Sequence, residues 1–268
     1  MAYEHNGADQ VDRELARSWE NQQTEMRSQL EEQDRLDFVL HADEQLSTVH
    51  GRLERIGGVD ISYPRNSPSR AIVALTVLAY PSLDILYDVC TEVTITTPYI
   101  AGFLAFREIS AYRGAFAQLQ SEHPELWPQV VLVDGNGTLH PRRFGSACQL
   151  GVELDIPTIG VAKNFLHIDG LSADARSLKQ AFQQAAAPPL EIKLSNADTV
   201  YGMAVAPGGG ASGATNPIFV STGHRVSLRT AVDIVRKCSR HRVPEPIRVA
   251  DQRSRARARE IEAKDSTD

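Results

Sequence analysis

The chain has 268 residues, 42% of them hydrophobic, and a formal net charge of −6. Such a chain can bury a sizeable core, and its overall charge does not by itself indicate binding to nucleic acid. No apolar run approaches the ~20 residues of a membrane helix, and the three cysteines lack C-x-x-C spacing. We expect a soluble protein with no membrane partner, reduced and intracellular, in the cytoplasm or the nucleus, including the nucleolus.

The two ends of the chain differ in composition from its middle. Residues 1–40 are polar and charge-mixed, which predicts a helical extension on the surface, and residues 255–268 form a charged tail. Between them, residues 41–254 carry the strand-like apolar runs and are predicted to form the main domain.

Three strand-like runs follow one another in the first half of that domain. They surround Asp60, occupy residues 70–79 and alternate along residues 85–95, with short connections that predict an antiparallel meander. Next come a helix from about Gly102, a strand ending at Asp134, a helix at about 145–154 and a strand at 157–161. Strands separated by helices run parallel. The predicted class is therefore α/β, and it resembles the ribonuclease-H-like mixed sheet, a three-strand antiparallel meander followed by αβαβ and flanked by helices.

The later chain adds two predicted strands, at 199–206 and 216–222, and a helix capped by Ser227. Between the two strands lies a glycine-rich segment at 207–213. It lacks the Lys-Ser/Thr pair and the following helix of a phosphate-binding loop, so we interpret it as a surface loop.

Two aspartates occupy unusual positions in the predicted strands. Asp60 interrupts an apolar strand, and Asp134 ends a strand covered on both faces, just before Gly-Asn-Gly. An isolated charge is costly to bury, so these carboxylates should be hydrogen-bonded or neutralised by a cation, and Mg²⁺ prefers oxygen ligands. Glu108, at the margin of a helical apolar stripe, is a third candidate. The alternatives are a turn-forming role for Asp134 and a solvated position for Glu108.

Several longer motifs resemble one known family. They are GVDIS at 58–62, PYIAGFLAFRE at 98–108, DGNG at 134–137 with His140, residues 151–164, GHRVSL at 223–228, and PEP at 244–246 with Ala250-Asp251. Together they resemble endonuclease V, the inosine-directed nuclease family, over about residues 56–254.

The resemblance implies a nuclease that holds Mg²⁺ or Mn²⁺ on carboxylates. The implied metal ligands are Asp60, Glu108, Asp134 and Asp251. Lys163 would contact the scissile phosphate or orient the attacking water, although its spacing alone is typical of a surface lysine. His140 and His224 are candidates for phosphate contact or for proton delivery to the leaving group, because imidazole titrates near neutrality.

The same resemblance assigns base recognition to residues 98–104. Tyr99, with Ile100 beside it, matches an aromatic wedge that opens the stack so that the purine is extruded. The pocket would be formed by backbone at four positions: Gly102, Leu104, Gly135 and Gly145. The family wedge usually ends in proline, whereas this chain has Ala101, so a rigid residue is missing there.

The predicted function is that of a metal-dependent endonuclease that recognises inosine in RNA, DNA or both and hydrolyses a phosphodiester bond on its 3′ side. The alternatives are a ribonuclease-H-like nuclease without inosine preference and a non-catalytic inosine-binding protein. The polar N-terminal segment and the Arg-rich tail resemble eukaryotic appendages, which favours RNA. Because no apolar helix face is left obviously unpaired, a monomer is expected.

Overall fold

A computed structural model describes residues 3–40, 51–65, 67, 69–171, 174–184, 190–193, 198–206 and 216–265. The predicted glycine-rich loop at 207–213 lies outside these residues. Among the helices that are described, none is long and apolar enough to cross a membrane.

Eight strands of the described chain form one sheet. They are β3 (Arg55–Ser62), β4 (Arg70–Ala79), β5 (Ile85–Thr94), β6 (Val130–Asp134), β7 (Thr158–Ala162), β8 (Leu190–Lys193), β9 (Val200–Val205) and β10 (Ile218–His224). Their order across the sheet is β5-β4-β3-β6-β7-β10-β9-β8. Two further short strands, β1 (Phe38–Val39) and β2 (Gly51–Arg52), pair with each other outside this sheet.

The directions of the strands confirm the predicted topology. Strands β3, β4 and β5 form an antiparallel meander, while β3, β6 and β7 run parallel to one another. The five strands therefore follow the ribonuclease-H-like arrangement. Strands β10, β9 and β8 then extend the sheet in antiparallel fashion beyond β7.

Helices cover both faces of the sheet. They are α1 (Tyr3–Arg27), α2 (Leu104–Glu122), α3 (Ser146–Leu154), α4 (Ala175–Gln184), α5 (Leu228–Lys237) and α6 (Glu245–Asp265), with a 3-10 turn at Pro124–Leu126. Helices α2 and α3 pack on one face and α5 and α6 on the other. Ser227 caps α5 as predicted, since its hydroxyl accepts the Thr230 N–H.

Strand β6 shows why a continuous apolar run is needed at the centre of the sheet. Leu132 packs in the core beneath α5 and α6, whereas Val131 and Val133 pack beneath α2 and α3. Because successive side chains of a strand point to opposite faces, a strand buried on both faces requires an apolar residue at every position.

A glycine brings helix α6 directly against strand β3. A Cβ atom at Gly58 would lie 2.3 Å from the carbonyl oxygen of Pro246. The absence of a side chain therefore lets the start of α6 approach the strand backbone, which places Asp251 of the helix close to Asp60 of the strand.

Both ends of the described chain pack onto this core. On α1, the side chain of Trp19 is buried against helix α2, and its ring stacks on that of Phe106 with centroids 5.0 Å apart. Helix α6 continues to Asp265, so the predicted tail from residue 255 begins as helix, with Ala258 and Ile261 packed against Ile72. The division into a domain and two extensions stays a prediction.

Candidate active site

Three aspartates from distant parts of the sequence meet at one end of the parallel strands. Asp60, Asp134 and Asp251 each offer a carboxylate oxygen, and these oxygens lie within 4.8 Å of one another. The pairing of Val59 with Val133 in adjacent parallel strands places the next residues, Asp60 and Asp134, side by side. Asp251, on helix α6, supplies the third carboxylate.

The environment of Asp60 favours a carboxyl group that is protonated or neutralised. Burial, followed by the hydrogen bond and the charge of Asp134, raises the pKa of Asp60 well above its ordinary value. The Ser254 hydroxyl donates to Asp60 Oδ2 at 2.5 Å, and this hydrogen bond acts to lower the pKa of Asp60. Ser254 was not predicted as a site residue, although the Asp-x-x-Ser spacing places it one helical turn after Asp251.

Lys163 lies between two of these carboxylates. Its Nζ is 2.6 Å from Asp134 Oδ2 and 2.5 Å from Asp251 Oδ1. Burial acts to lower the pKa of Lys163, but the charges and hydrogen bonds of the two aspartates raise it overall, so the ammonium form is favoured. Arg255 Nη2 is also 3.0 Å from Asp251 Oδ1. These contacts show that the carboxylates attract cations, and their oxygen donors fit a hard divalent ion.

Glu108 lies near the three aspartates but does not belong to their group as far as the chain is described. Its side chain is buried on α2, so it is not a solvated helix residue. The Tyr63 hydroxyl donates to Glu108 Oε1 at 3.3 Å. Burial, with a contribution from the charge of Asp134, raises the pKa of Glu108 to about 7. At neutral pH this carboxyl group can therefore hold or release a proton.

A cavity of about 440 Å³ adjoins the acidic cluster, since Asp134 is followed by the lining residue Gly135. Five predicted recognition residues line it: Tyr99, Gly102, Leu104, Gly135 and Gly145. Ile100 is not part of the lining. A Cβ atom at Gly145 would lie 2.3 Å from the backbone oxygen of Asn136, so glycine is required for this close approach of two chain segments. The side chain of Tyr99 is 68% exposed.

His140 also lines the cavity, but both of its ring nitrogens have partners within the protein. The Arg142 N–H donates to Nδ1 at 3.3 Å, so Nε2 carries the proton and lies 3.2 Å from the carbonyl oxygen of Gly102. Burial and then the charge of Arg142 lower the pKa of His140 to about 4. The ring is therefore neutral at physiological pH and fixes the cavity lining.

The structure does not bring His224 to the acidic cluster. Strand β10 is antiparallel to β7 and pairs His224 with Thr158, at the opposite end of the strand from Lys163. The ring is buried there, and its Nδ1 accepts the Glu31 N–H at 3.3 Å. This position does not support the prediction that His224 contacts the phosphate or the leaving group.

Sequence reasoning missed several other lining residues of the cavity. They include Gln23, Asn136, Arg142, Phe144, Ser146 and Leu166. Gln23 had one detectable signal, because Trp19 and Gln23 are four residues apart and share a face of the N-terminal helix. The buried pair is the exception on a helix that is otherwise largely polar.

The fold and the acidic cluster define a class of protein, the ribonuclease-H-like nucleases. Comparison with known proteins identifies the family within this class. The family model described as Endonuclease V matches residues 37–252. A mouse protein named Endonuclease V is 39% identical over an alignment that spans 94% of this chain and 72% of its own length. The chain belongs to the endonuclease V family, as its motifs predicted, and is a hydrolase with endonuclease activity.

Solved structures agree with this assignment. The catalytic domain of human Endonuclease V superposes with a TM-score of 0.81 and 38% identity, covering 92% of this chain and 97% of the other. Endonuclease V from Ciona intestinalis, in complex with a 23mer DNA containing an inosine followed by a ribo-adenosine, gives a TM-score of 0.82 and 34% identity, covering 92% and 98%.

Proposed function

We propose that this chain is a divalent-metal-dependent endonuclease that recognises inosine in RNA or DNA and hydrolyses the phosphodiester bond on its 3′ side. The observation that carries the proposal is the meeting of Asp60, Asp134 and Asp251 beside a cavity whose lining includes Tyr99 and three glycines. The inosine-containing DNA bound by the Ciona intestinalis relative supports the choice of substrate.

The three aspartates would hold Mg²⁺ or Mn²⁺, and Glu108 lies close enough for its pKa to respond to Asp134. When bound, such an ion supplies charge stabilisation to the phosphate oxygens and lowers the pKa of water. Lys163, whose ammonium group contacts Asp134 and Asp251, would contact the scissile phosphate or orient the attacking water. Glu108 is suited to exchange a proton at its carboxyl oxygens near pH 7.

The cavity would take the extruded base. Tyr99 is exposed enough to stack in the gap that the base leaves, and base stacking on an aromatic ring is worth about 1–3 kcal/mol. Hypoxanthine has a carbonyl where adenine has an exocyclic amine. A backbone donor at that point pairs with hypoxanthine and is left unpaired by adenine, which is an effective means of rejection.

Cleavage assays on matched oligonucleotides test the proposal. Inosine- and adenosine-containing strands are incubated with Mg²⁺, with Mg²⁺ plus chelator, and with the Asp60→Ala variant. We expect cleavage of the inosine strand with Mg²⁺ alone and none in the other arms. Equal cleavage of both strands would instead indicate a nuclease without inosine preference. Binding of inosine strands without cleavage would indicate a non-catalytic inosine-binding protein.

The choice between RNA and DNA calls for a second comparison. We propose RNA as the preferred substrate, and the ribo-adenosine after inosine in the Ciona intestinalis complex supports a contact to a 2′-hydroxyl. One inosine site is prepared with ribose or deoxyribose at the nucleotide 3′ to inosine. Faster cleavage of the ribose version is expected, and equal rates would contradict the preference. The monomeric state and the cellular compartment stay predictions.

A further inference from the structure

Helix α1 precedes the residues matched by the family model, yet it forms part of the cavity. The match begins at residue 37, whereas the lining includes Gln23. Trp19, one turn earlier on the same face, packs between the rings of Phe103 and Phe106, with centroids 5.8 and 5.0 Å away. These aromatic contacts fix α1 against the beginning of helix α2.

Both ends of the Gln23 side-chain amide form hydrogen bonds in this position. Its side chain is buried, with 2% of its surface exposed. The Nε2 group donates to the carbonyl oxygen of Phe144 at 3.2 Å, and Oε1 accepts from Arg142 Nε at 2.5 Å. Phe144 and Arg142 both belong to the cavity lining between β6 and α3. Gln23 therefore connects the N-terminal helix to that segment.

Arg142 in turn contacts residues 100–103, a turn that directly follows Tyr99. Its guanidinium carbon lies 4.0 Å from the centroid of the Phe103 ring, and Nη2 donates to the carbonyl oxygen of Gly102 at 2.5 Å. A guanidinium group is planar, so a hydrogen bond that fixes Nε also fixes the direction of Nη2. The acceptor on Gln23 consequently determines where Arg142 meets Gly102.

The turn at residues 100–103 has little internal rigidity. The Phe103 N–H donates to the Ile100 carbonyl at 3.0 Å, and Gly102 has a φ of +81°, as the third residue of a type II turn requires. Ala101 occupies the second position, where proline would pre-set φ. Glycine and alanine restrict the backbone less than proline does, and the Gly102 carbonyl also has contacts from Arg142 and His140 outside the turn.

We propose that Gln23 is a positioning residue for base recognition: through Arg142 it fixes the Gly102 carbonyl and thereby the turn that directly follows Tyr99. This inference rests on the proposed function, because it assigns the cavity to the extruded base. It makes helix α1 a component of the recognition site. Since Gln23 touches none of the three clustered aspartates in the described contacts, its loss affects substrate binding and spares the chemical step.

Steady-state kinetics on an inosine-containing strand separate this role from a general effect on folding. In the full-length protein, Gln23→Ala is expected to raise KM about tenfold and to leave kcat within about twofold. Gln23→Glu keeps the acceptor for Arg142 Nε but loses the donor to the Phe144 carbonyl, so KM should rise less than in Gln23→Ala, by about threefold. Gln22→Ala is the matched control, because Gln22 is exposed and contacts Ser18 on its own helix.

A second-site change tests the route through the turn. Ala101→Pro restricts the turn that the Gln23 contact is proposed to fix. The Gln23→Ala/Ala101→Pro double variant should therefore bring KM most of the way back to the wild-type value. Unchanged KM in Gln23→Ala, an equal defect in Gln23→Glu, or no recovery in the double variant would each overturn the proposal.

Amide hydrogen exchange in the substrate-free protein provides a readout that does not depend on the proposed function. The Phe103 N–H, which closes the turn, should exchange about tenfold faster in Gln23→Ala than in Gln22→Ala. If the wild-type protein shows no inosine preference but this difference is present, the proposed function fails and the positioning contact stands. An identical exchange rate in the two variants would overturn the positioning role itself.

Discussion

The acidic cluster and the cavity share the Asp134–Gly135 peptide but are built in different ways. The cluster consists of side chains held by two central strands and one helix, namely Asp60, Asp134 and Asp251. The cavity is lined by residues from several turns and helices, among them the glycines Gly102, Gly135 and Gly145. We propose that the two regions have separate tasks, in which the aspartate side chains supply the chemistry and the close backbone packing at the glycines shapes the selectivity.

The largest effect is expected from a change that removes one charge from the cluster and preserves its shape. Asp60→Asn should lower kcat with Mg²⁺ by about a thousandfold, because a carboxylate in a metal site contributes several kcal/mol to transition-state stabilisation. The stability of the metal-free protein should rise, because burial raises the pKa of Asp60 and a neutral amide avoids the cost of protonating this carboxyl group on folding. Single-turnover cleavage and thermal unfolding measure the two effects.

The matched control is Asp84→Asn, at an exposed position outside the cluster. It should change neither activity nor stability appreciably. Retention of full activity by Asp60→Asn would contradict the division between a side-chain centre for chemistry and a backbone pocket for selectivity.

The next largest effect is expected at a glycine of the cavity. In Gly145→Ala, the new Cβ would lie 2.3 Å from the Asn136 backbone oxygen, so the two segments must move apart. Overpacking of this kind costs about 1–3 kcal/mol. Discrimination between inosine and adenosine strands should fall about tenfold or more, while Mn²⁺ affinity should change little. Competition cleavage and metal titration measure the two properties.

Gly114→Ala provides the control for the glycine change. A Cβ at Gly114 meets no atom within 4 Å, and alanine favours helix, so this variant should gain up to about 1 kcal/mol of stability with unaltered discrimination. Equal discrimination in Gly145→Ala and Gly114→Ala would show that the backbone at Gly145 does not select the base.

A pH-dependent loss of stability is expected at His140. Its folded-state pKa of about 4 lies below the ordinary histidine value of 6.5, so unfolding is favoured by proton uptake. The stabilising contribution is complete above pH 6.5 and is lost as the pH falls toward 4. Between pH 7 and pH 5 the loss should be about 2 kcal/mol. Denaturant unfolding of wild type and His140→Gln at both pH values measures it.

The exposed His167, changed to Gln, serves as the reference for this comparison. It should follow the wild-type pH dependence. If His140→Gln loses as much stability as the wild type between pH 7 and pH 5, then burial of a neutral ring at His140 is not the cause.

The smallest effect is expected at Tyr99. The side chain is 68% exposed, so Tyr99→Ala should leave the free energy of unfolding within about 0.5 kcal/mol of the wild-type value. Its loss should raise KM for an inosine strand about tenfold through lost stacking, and Tyr99→Phe should behave as the wild type. If Tyr99→Ala leaves KM unchanged, Tyr99 does not act as a wedge in recognition.

The sequence predicted seven strands of the main sheet and two of the clustered acids because both follow from local pattern, whereas the short β1, β2 and β8 were missed. A carboxylate inside or at the end of a buried strand is unusual on its own, which singled out Asp60 and Asp134. Lys163 and Asp251 carried weaker local signals, since an isolated lysine or a helical aspartate is ordinary on a surface. Their contact across 88 residues depends on how α6 crosses β3.

Other positions carried little or no signal in the sequence pattern. His224 lies in one of the family motifs, but the antiparallel pairing of β10 with β7 places it beside Thr158, at the far end of β7 from Lys163. The importance of α1 was hidden because its composition is largely polar and only Trp19 and Gln23 are deeply buried among its described side chains. Composition averages over a helix, whereas a binding site depends on one or two side chains.

The most direct test of the central claim is a titration with Mn²⁺ followed by electron paramagnetic resonance, without nucleic acid. We expect the wild-type protein to bind Mn²⁺. Asp60→Asn, Asp134→Asn and Asp251→Asn should each weaken this binding by about 10–100-fold, whereas Gly145→Ala should not. Wild-type affinity in all three aspartate variants would contradict the claim that these carboxylates form one cation site.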